Sequence, residues 1–445
     1  MKIFKRYAVT DYFQHLIDGF RSNPDYSGAL ISGYVLVSVN MLTQLALTPF
    51  YLHYLGESQF GTLMIILNLL NFVAIGIGWM SGGLTRLLGE LWAQKDVYGL
   101  RQAFALGKYI FLVYAIIVIG LAVFSMWGWS TLTSERISIS TMEVFSASLF
   151  LLAQYEANPE RQTFVGTRHQ TSGNVIEVLR IVIFSLAVFL FLPRYQNFVV
   201  ILLSMTLAVL VQRFSSNIYL TKQIGELGWR KLTPAMKPLL RRLAGKQGAG
   251  YLIYGVLLIC LQMDTLIIGY LGGPELAGQF SLLWRIPGFI FLIMWRIPSA
   301  LQPHVIYMDA RRDFVGLKYY YQIGLKRFAV IAALAALLYM IFGQKLTQIW
   351  VGSYAPGESW MYWLSGVALF LTSLARWPIS FAYALIRLRP LVKIIAIELL
   401  AKSILTVLLF PIASFAAPIA ATVITHGVYA TWAYLRLIQF QERTL

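Results

Sequence analysis

The chain has 445 residues, of which 58% are hydrophobic and only 12% charged, about half the charged share of a soluble domain. No soluble core hides that much apolar side chain, so the net charge of +17 is read as membrane topology and not as a nucleic-acid surface. The single cysteine, Cys260, rules out an intramolecular disulfide, and no zinc or haem spacing exists.

The first 27 residues lack the unbroken apolar run of a secretory signal. Ile3, Phe4, Tyr7, Leu16, Ile17 and Phe20 fit one face of an interfacial helix, and a solvated arm fits equally well. Apolar runs then predict helices over 28–52, 60–86, 107–129, 142–159, 174–193, 198–220, 248–272, 277–302, 325–343, 358–385, 391–411 and 417–438. In lipid the backbone must bond within each run, which makes such runs helices. With the N-terminus in the cytoplasm, 26 Lys and Arg residues fall on that side, densest from Lys222 to Lys246. Only Arg136, Arg194 and Lys345 face the other way. The asymmetry predicts both termini inside and an even helix count.

The chain repeats. A shift of 217 places KDVYGLR (95–101) on RDFVGLK (312–318), so that Asp96 meets Asp313 and Gly99 meets Gly316. YLGESQFG (54–61) falls near YLGGPELAG (270–278), and Gly107 meets Gly324. Six helices per repeat preserve orientation, so the two repeats are parallel. The expected fold is an all-α polytopic membrane protein of about 12 transmembrane helices. It comprises an arm (1–27), one bundle (28–220), a basic linker (221–247), a second bundle (248–438) and a cytoplasmic tail (439–445).

Seven basic residues remain that the loops cannot accommodate: Arg86, Arg180, Arg213, Arg285, Arg296, Arg376 and Lys402. Each costs about 2.5–3.5 kcal/mol at a helix centre unless it meets a cavity, a partner or the interface. Arg213 reads best as snorkelling, and Arg86 is open between snorkelling and a cleft. The eighth helix carries Trp-Arg-Ile-Pro twice, at 284–287 and 295–298. The spacing points Arg285 and Arg296 the same way, about 16 Å apart, although Arg296 also fits the inner interface. Arg376-Trp377-Pro378 is a related stretch. Asp264 and Arg285 lie at similar depth and are expected to pair, either structurally or as a site that a coupling ion opens. Glu177 with Arg180 (i,i+3) and Glu398 with Lys402 (i,i+4) self-neutralise or line a cleft. Arg binds phosphate in a bidentate way, and an excess of embedded cations favours an anionic cargo. Tyr254, Trp284, Trp295 and Trp363 offer faces for sugars or serve as interface anchors. His426 lies within a span, either as a cleft residue or, more simply, in core packing. There is no Walker A loop and no hydrolytic triad, metal cluster or dinucleotide fingerprint, so the chain is not read as an enzyme and needs no cofactor.

The segment TPFYLHYLGESQFGTLMIILNLLNFVAIGIGWMSGGLTRLLGE (48–90) resembles the opening of the polysaccharide-transport and O-antigen flippases. This family belongs to the superfamily that also contains the multidrug and toxic compound exporters. MDTLIIGYLGGPELAGQFSLLWRI (263–286) is similar to the matching second-half segment, with Asp264 and Gly278 in the family's places. The resemblance implies two six-helix bundles in a V with a cationic lumen, in a bacterial inner membrane. It also implies an undecaprenyl-diphosphate-linked oligosaccharide as cargo, moved from the cytoplasmic to the periplasmic leaflet. Partners would then be that glycolipid, membrane lipids, and the polymerase and glycosyltransferases of the same pathway. On this reading Arg285, Arg376, Arg180, Arg86, Arg296 and Lys402 hold the anion. Asp264, Glu398 and Glu177 carry a coupling H+ or Na+. The rival is a cation-coupled exporter of small molecules. A membrane glycosyltransferase is disfavoured by the sparse charge of the longest outer loop, 344–357.

Overall fold

In the computed structural model, residues 24–73, 77–132, 139–231, 236–243, 263–385 and 388–438 are described. Most of the N-terminal arm, the C-terminal tail, Cys260 and Tyr254 lie outside them. No strand occurs among the described residues. Eight helices there are long and apolar enough to cross a membrane. Large aliphatic side chains face outward along them, with Ile349 75% and Ile412 84% exposed. Such a surface is stable only against lipid, and the chain is a multi-pass membrane protein.

The elements follow the predicted order. Helix α1 (Pro24–Val73) is interrupted at Gly56, whose φ of 71° and ψ of 175° suit only glycine. Then come α2 (Ile77–Ala93), α3 (Val97–Leu132) and α4 (Thr141–Glu156). The predicted helix 142–159 breaks at Ala157, and α5 (Asn158–Gly166) restarts with Pro159 in its first turn. Proline is tolerated there because those N–H groups have no intrahelical partner. Helices α6 (Gln170–Tyr195), α7 (Val199–Ile224) and the short α8 (Met236–Leu243) complete the first half. The second half holds α9 (Met263–Gly272), α10 (Pro274–Ala300), α11 (Gln302–Ala310), α12 (Phe314–Val351), α13 (Ser359–Ala384) and α14 (Leu388–Ala413). The last predicted helix divides into α15 (Ala417–Thr425), a π-helical turn over His426–Ala430, and α16 (Thr431–Leu437).

The 217-residue repeat is visible in the backbone. Lys95 and Arg312 both adopt left-handed φ, 58° and 57°. Asp96 N–H donates to Leu91 O, and Asp313 N–H to Met308 O, at 3.0 Å each, closing the preceding helix in the same way twice. Each Asp then caps the next helix, its Oδ1 accepting from Gly99 N or Gly316 N at 2.8 Å. A Cβ on either glycine would overlap that carboxylate, so the capping acid and the glycine three residues on require one another. Gly273 (φ 88°, ψ −178°) repeats the Gly56 conformation 217 residues later.

By contacts the chain divides into two compact units. The first comprises the described residues of Met1–Leu47, Trp79–Gly120 and Phe145–Gly248; the second comprises those of Thr48–Gly78, Leu121–Val144 and Ala249–Leu445. The described residues of 48–78 and 121–144 thus group with the C-terminal part of the chain. Within the second unit, Gly61 and Gly278 let two backbones meet: a Cβ on Gly61 would overlap the Pro274 carbonyl, and one on Gly278 would lie 3.4 Å from Gly61 Cα. Helix α13 is the most buried span, packed by α10, α12, α14, α15 and α16. Its Trp377 stacks near Phe328 and Phe381 and donates to Tyr321 O at 3.2 Å. Gly324 leaves room for that indole, which fixes the roll of α13 and the direction of its neighbour Arg376.

Candidate functional site

The second unit contains a pocket that opens to its surroundings. Asp264 of α9, Trp284 and Phe291 of α10, Arg376 of α13, Glu398 and Lys402 of α14, His426 of the π turn and Tyr434 of α16 all line it. Arg376 is only 7% exposed. Its guanidinium lies over the rings of Phe291 and Trp295, 4.8 and 4.4 Å from their centroids. Stacking of this kind favours a planar, weakly hydrated cation in an apolar setting.

Two ionic contacts define the polar wall. Lys402 Nζ donates to Asp264 Oδ2 at 2.6 Å. Glu398 accepts twice: His426 Nε2 lies 3.0 Å from Oε1, and the Tyr434 hydroxyl donates to Oε2. His426 Nδ1 is 3.2 Å from Thr431 Oγ1. Residues five apart face one another where the helix is wound as a π turn, which aligns i with i+5.

The expected partnerships change here. Asp264 pairs with Lys402, not with Arg285. Glu398 and Lys402, one turn apart on α14, do not pair with each other. Packing delivers a nearer partner to each, Asp264 from α9 and His426 from the end of α15. Arg285 is absent from the cavity wall. Its Nη2 instead lies 3.3 Å from Met64 Sδ, beside the residues 48–73 that join this unit. Arg296 is exposed. His426 is buried, but as a hydrogen-bonding partner of Glu398 and not as inert packing. Its signal in sequence was weak, since its partner lies 28 residues away.

Glu177, Arg180 and Arg86 lie in the first unit. Arg180 Nε reaches Glu177 Oε2 at 2.8 Å, as its spacing predicts. Glu177 also holds Arg161 at 2.7 Å and accepts from Gln212 at 2.6 Å. Arg213 does not simply snorkel. It contacts Glu156 and lies 4.0 Å from Glu160. Lys108 donates to Glu160 Oε1 at 2.5 Å and to Glu156 O at 2.8 Å, with both side chains of the pair 4% exposed. Sequence reasoning missed this pair because Lys108 sits at a predicted helix end and Glu160 in a predicted loop. Arg86 is exposed and bonds Glu90 at 2.8 Å, one turn away.

Solved structures share this architecture. A multidrug resistance MATE family transporter of the MOP superfamily in an inward-facing conformation aligns with a TM-score of 0.75 and 11% identity, over 91% of this chain and 96% of that one. An outward-facing MATE family transporter gives 0.61 and 13%, over 93% and 96%. A MOP superfamily transporter from Pyrococcus furiosus, described as having a binding pocket of reverse polarity and a different function, gives 0.61 and 14%, over 93% and 96%. No family model matches the sequence, and no curated protein does.

Proposed function

We propose, from a fold shared with MATE family transporters, that this chain carries an anionic, lipid-linked oligosaccharide across the membrane by alternating access, driven by a coupled ion. The observation that carries this reading is the cavity of the second unit. It holds a buried, ring-stacked Arg376 beside two acids engaged by groups from other helices. Arginine keeps its charge at any physiological pH and suits a phosphate oxygen, and the indole of Trp284 offers a face to a sugar ring. Asp264, Glu398 and Glu177 are the acids available to the coupling ion. The resemblance of 48–90 and 263–286 to the polysaccharide flippases supports the class of cargo, with transfer from the cytoplasmic to the periplasmic leaflet of a bacterial inner membrane.

A second reading rests on the same wall. Arg376 and Lys402 are matched by Asp264 and Glu398, so the cavity charge is balanced with His426 neutral. A charge-balanced pocket also suits a small amphipathic molecule exported against a cation.

Reconstitution separates the two. Proteoliposomes are loaded with a fluorescent polyprenyl-diphosphate oligosaccharide, and its exposure on the far leaflet is followed. The expected result is protein-dependent flipping that Arg376→Ala slows at least tenfold, the loss of one charge-assisted contact of roughly 1.5–3 kcal/mol. Flipping no faster than in empty vesicles, with efflux of an organic cation instead, assigns the chain to the second reading.

A further inference from the structure

We infer that the basic segment after α7 lies on the membrane surface and holds the headgroups of anionic phospholipids. Residues 221–247 carry seven bases and one acid, Glu226. The first unit fixes this segment at several places. Arg101 Nη2 of α3 donates to Ile224 O at 3.0 Å, where Gly225 (φ 87°) ends α7. Trp229 then meets Tyr109 of α3 edge to face, with ring centroids 4.9 Å apart. Further on, Leu239 and Leu243 of α8 are buried. Helix α8 comes so near α2 that a Cβ on Gly83 would lie 2.9 Å from Leu243 O.

With that face seated, the other side of α8 is turned outward. Lys237 and Arg241, one turn apart, are exposed. Leu240 lies between the two rows, about 60° round the helix from Leu243 and from Lys237. It is 44% exposed, as is Trp229. Exposed apolar side chains beside cations match a bilayer interface: leucine and tryptophan enter below the phosphates, and Lys and Arg reach up to them. Exposed Lys222 and Lys231 add to the same charge. The segment lies on the side that the Lys and Arg bias assigns to the cytoplasm. Each base near an anionic leaflet strengthens the attraction about fivefold. Dissolved phosphate would leave Leu240 and Trp229 in water. A second copy would bring the same excess of positive charge and be repelled. The lipid contact is independent of which cargo the chain carries.

The test asks which lipid lies against α8. Leu240→Cys, in a full-length Cys260→Ser background, carries a fluorophore on its thiol. The protein is held in nanodiscs of equal parts phosphatidylglycerol and phosphatidylcholine, with brominated acyl chains, which quench on contact, on one lipid or the other. Brominated phosphatidylglycerol is expected to quench about threefold more strongly than brominated phosphatidylcholine. Adding Lys237→Gln and Arg241→Gln should bring the two lipids level. Salt near 1 M, which screens charges beyond about 3 Å, should do the same with both bases in place, so the result does not depend on how the substituted protein folds. Equal quenching by the two lipids before either treatment, or a preference that either treatment leaves intact, overturns the site. Quenching by neither lipid places the face in water or against protein and overturns it too.

Discussion

Lys108 and Glu160 show what a single buried charge demands. Each is 4% exposed, and each is the other's ionic partner at 2.5 Å. Removing Glu160 strands the Lys108 ammonium, and removing Lys108 leaves Glu160 only the longer contact with Arg213 at 4.0 Å; breaking a buried pair in this way costs up to about 3–5 kcal/mol. Lys108→Met or Glu160→Gln is therefore expected to lower the thermal unfolding temperature in detergent sharply. The double replacement Lys108→Met/Glu160→Met should recover much of the loss. Tyr434→Phe is a milder case, since it strips one donor from Glu398 and should cost roughly 1–3 kcal/mol in the same assay. These residues also show what a sequence can hold. Glu177 and Arg180 are three apart on one helix, so their pairing follows from helical geometry alone. The partner of Asp264 lies 138 residues away and that of Glu398 28 away. Only the packing of α9, α14 and α15 decides those pairs, and no local pattern encodes it.

The helices themselves were largely readable, because long apolar runs admit one backbone solution in lipid. Their interruptions were readable only in part. The gap predicted between 52 and 60 contains Gly56, where α1 breaks, but Pro159 fits the start of α5 as easily as the end of the predicted span. Glycines of the two kinds separate cleanly under substitution. Gly61→Ala drives a methyl into the Pro274 carbonyl and is expected to destabilise by about 1–3 kcal/mol or more. Gly120 in α3 has open space around its missing Cβ, so Gly120→Ala should be neutral or stabilising by up to about 1 kcal/mol. Parallel melting curves of the two variants check this. A melting temperature unchanged by Gly61→Ala would show that the backbones there are not in contact. The repeated cap offers another comparison: Asp96→Ala and Asp313→Ala should each cost roughly 1 kcal/mol, the usual loss of an N-cap.

For the molecule as a whole, the doubled cap at Lys95–Gly99 and Arg312–Gly316 bears on orientation. Parallel repeats place both turns on one side of the membrane. In a Cys260→Ser background, cysteines at Lys95 and Arg312 are expected to react with an impermeant maleimide only from the cytoplasmic face, and one at Gln196 only from the opposite face. Labelling of Lys95 and Arg312 from different sides would break the parallel relation. The repeat could be read from sequence because its spacing is shared by two motifs. The cavity could not, since its walls come from helical segments spread between Asp264 and Tyr434. The Asp264–Lys402 bridge has a further consequence for how the protein is made. During synthesis α9 leaves the ribosome 138 residues before Lys402, an interval of about 7–30 s at ordinary elongation rates. Through that interval the acid must stay hydrated, neutral or held by the insertion machinery. Final closure of the second unit therefore awaits the arrival of α14, and a ribosome stalled between the two would leave a nascent chain unable to settle in the bilayer.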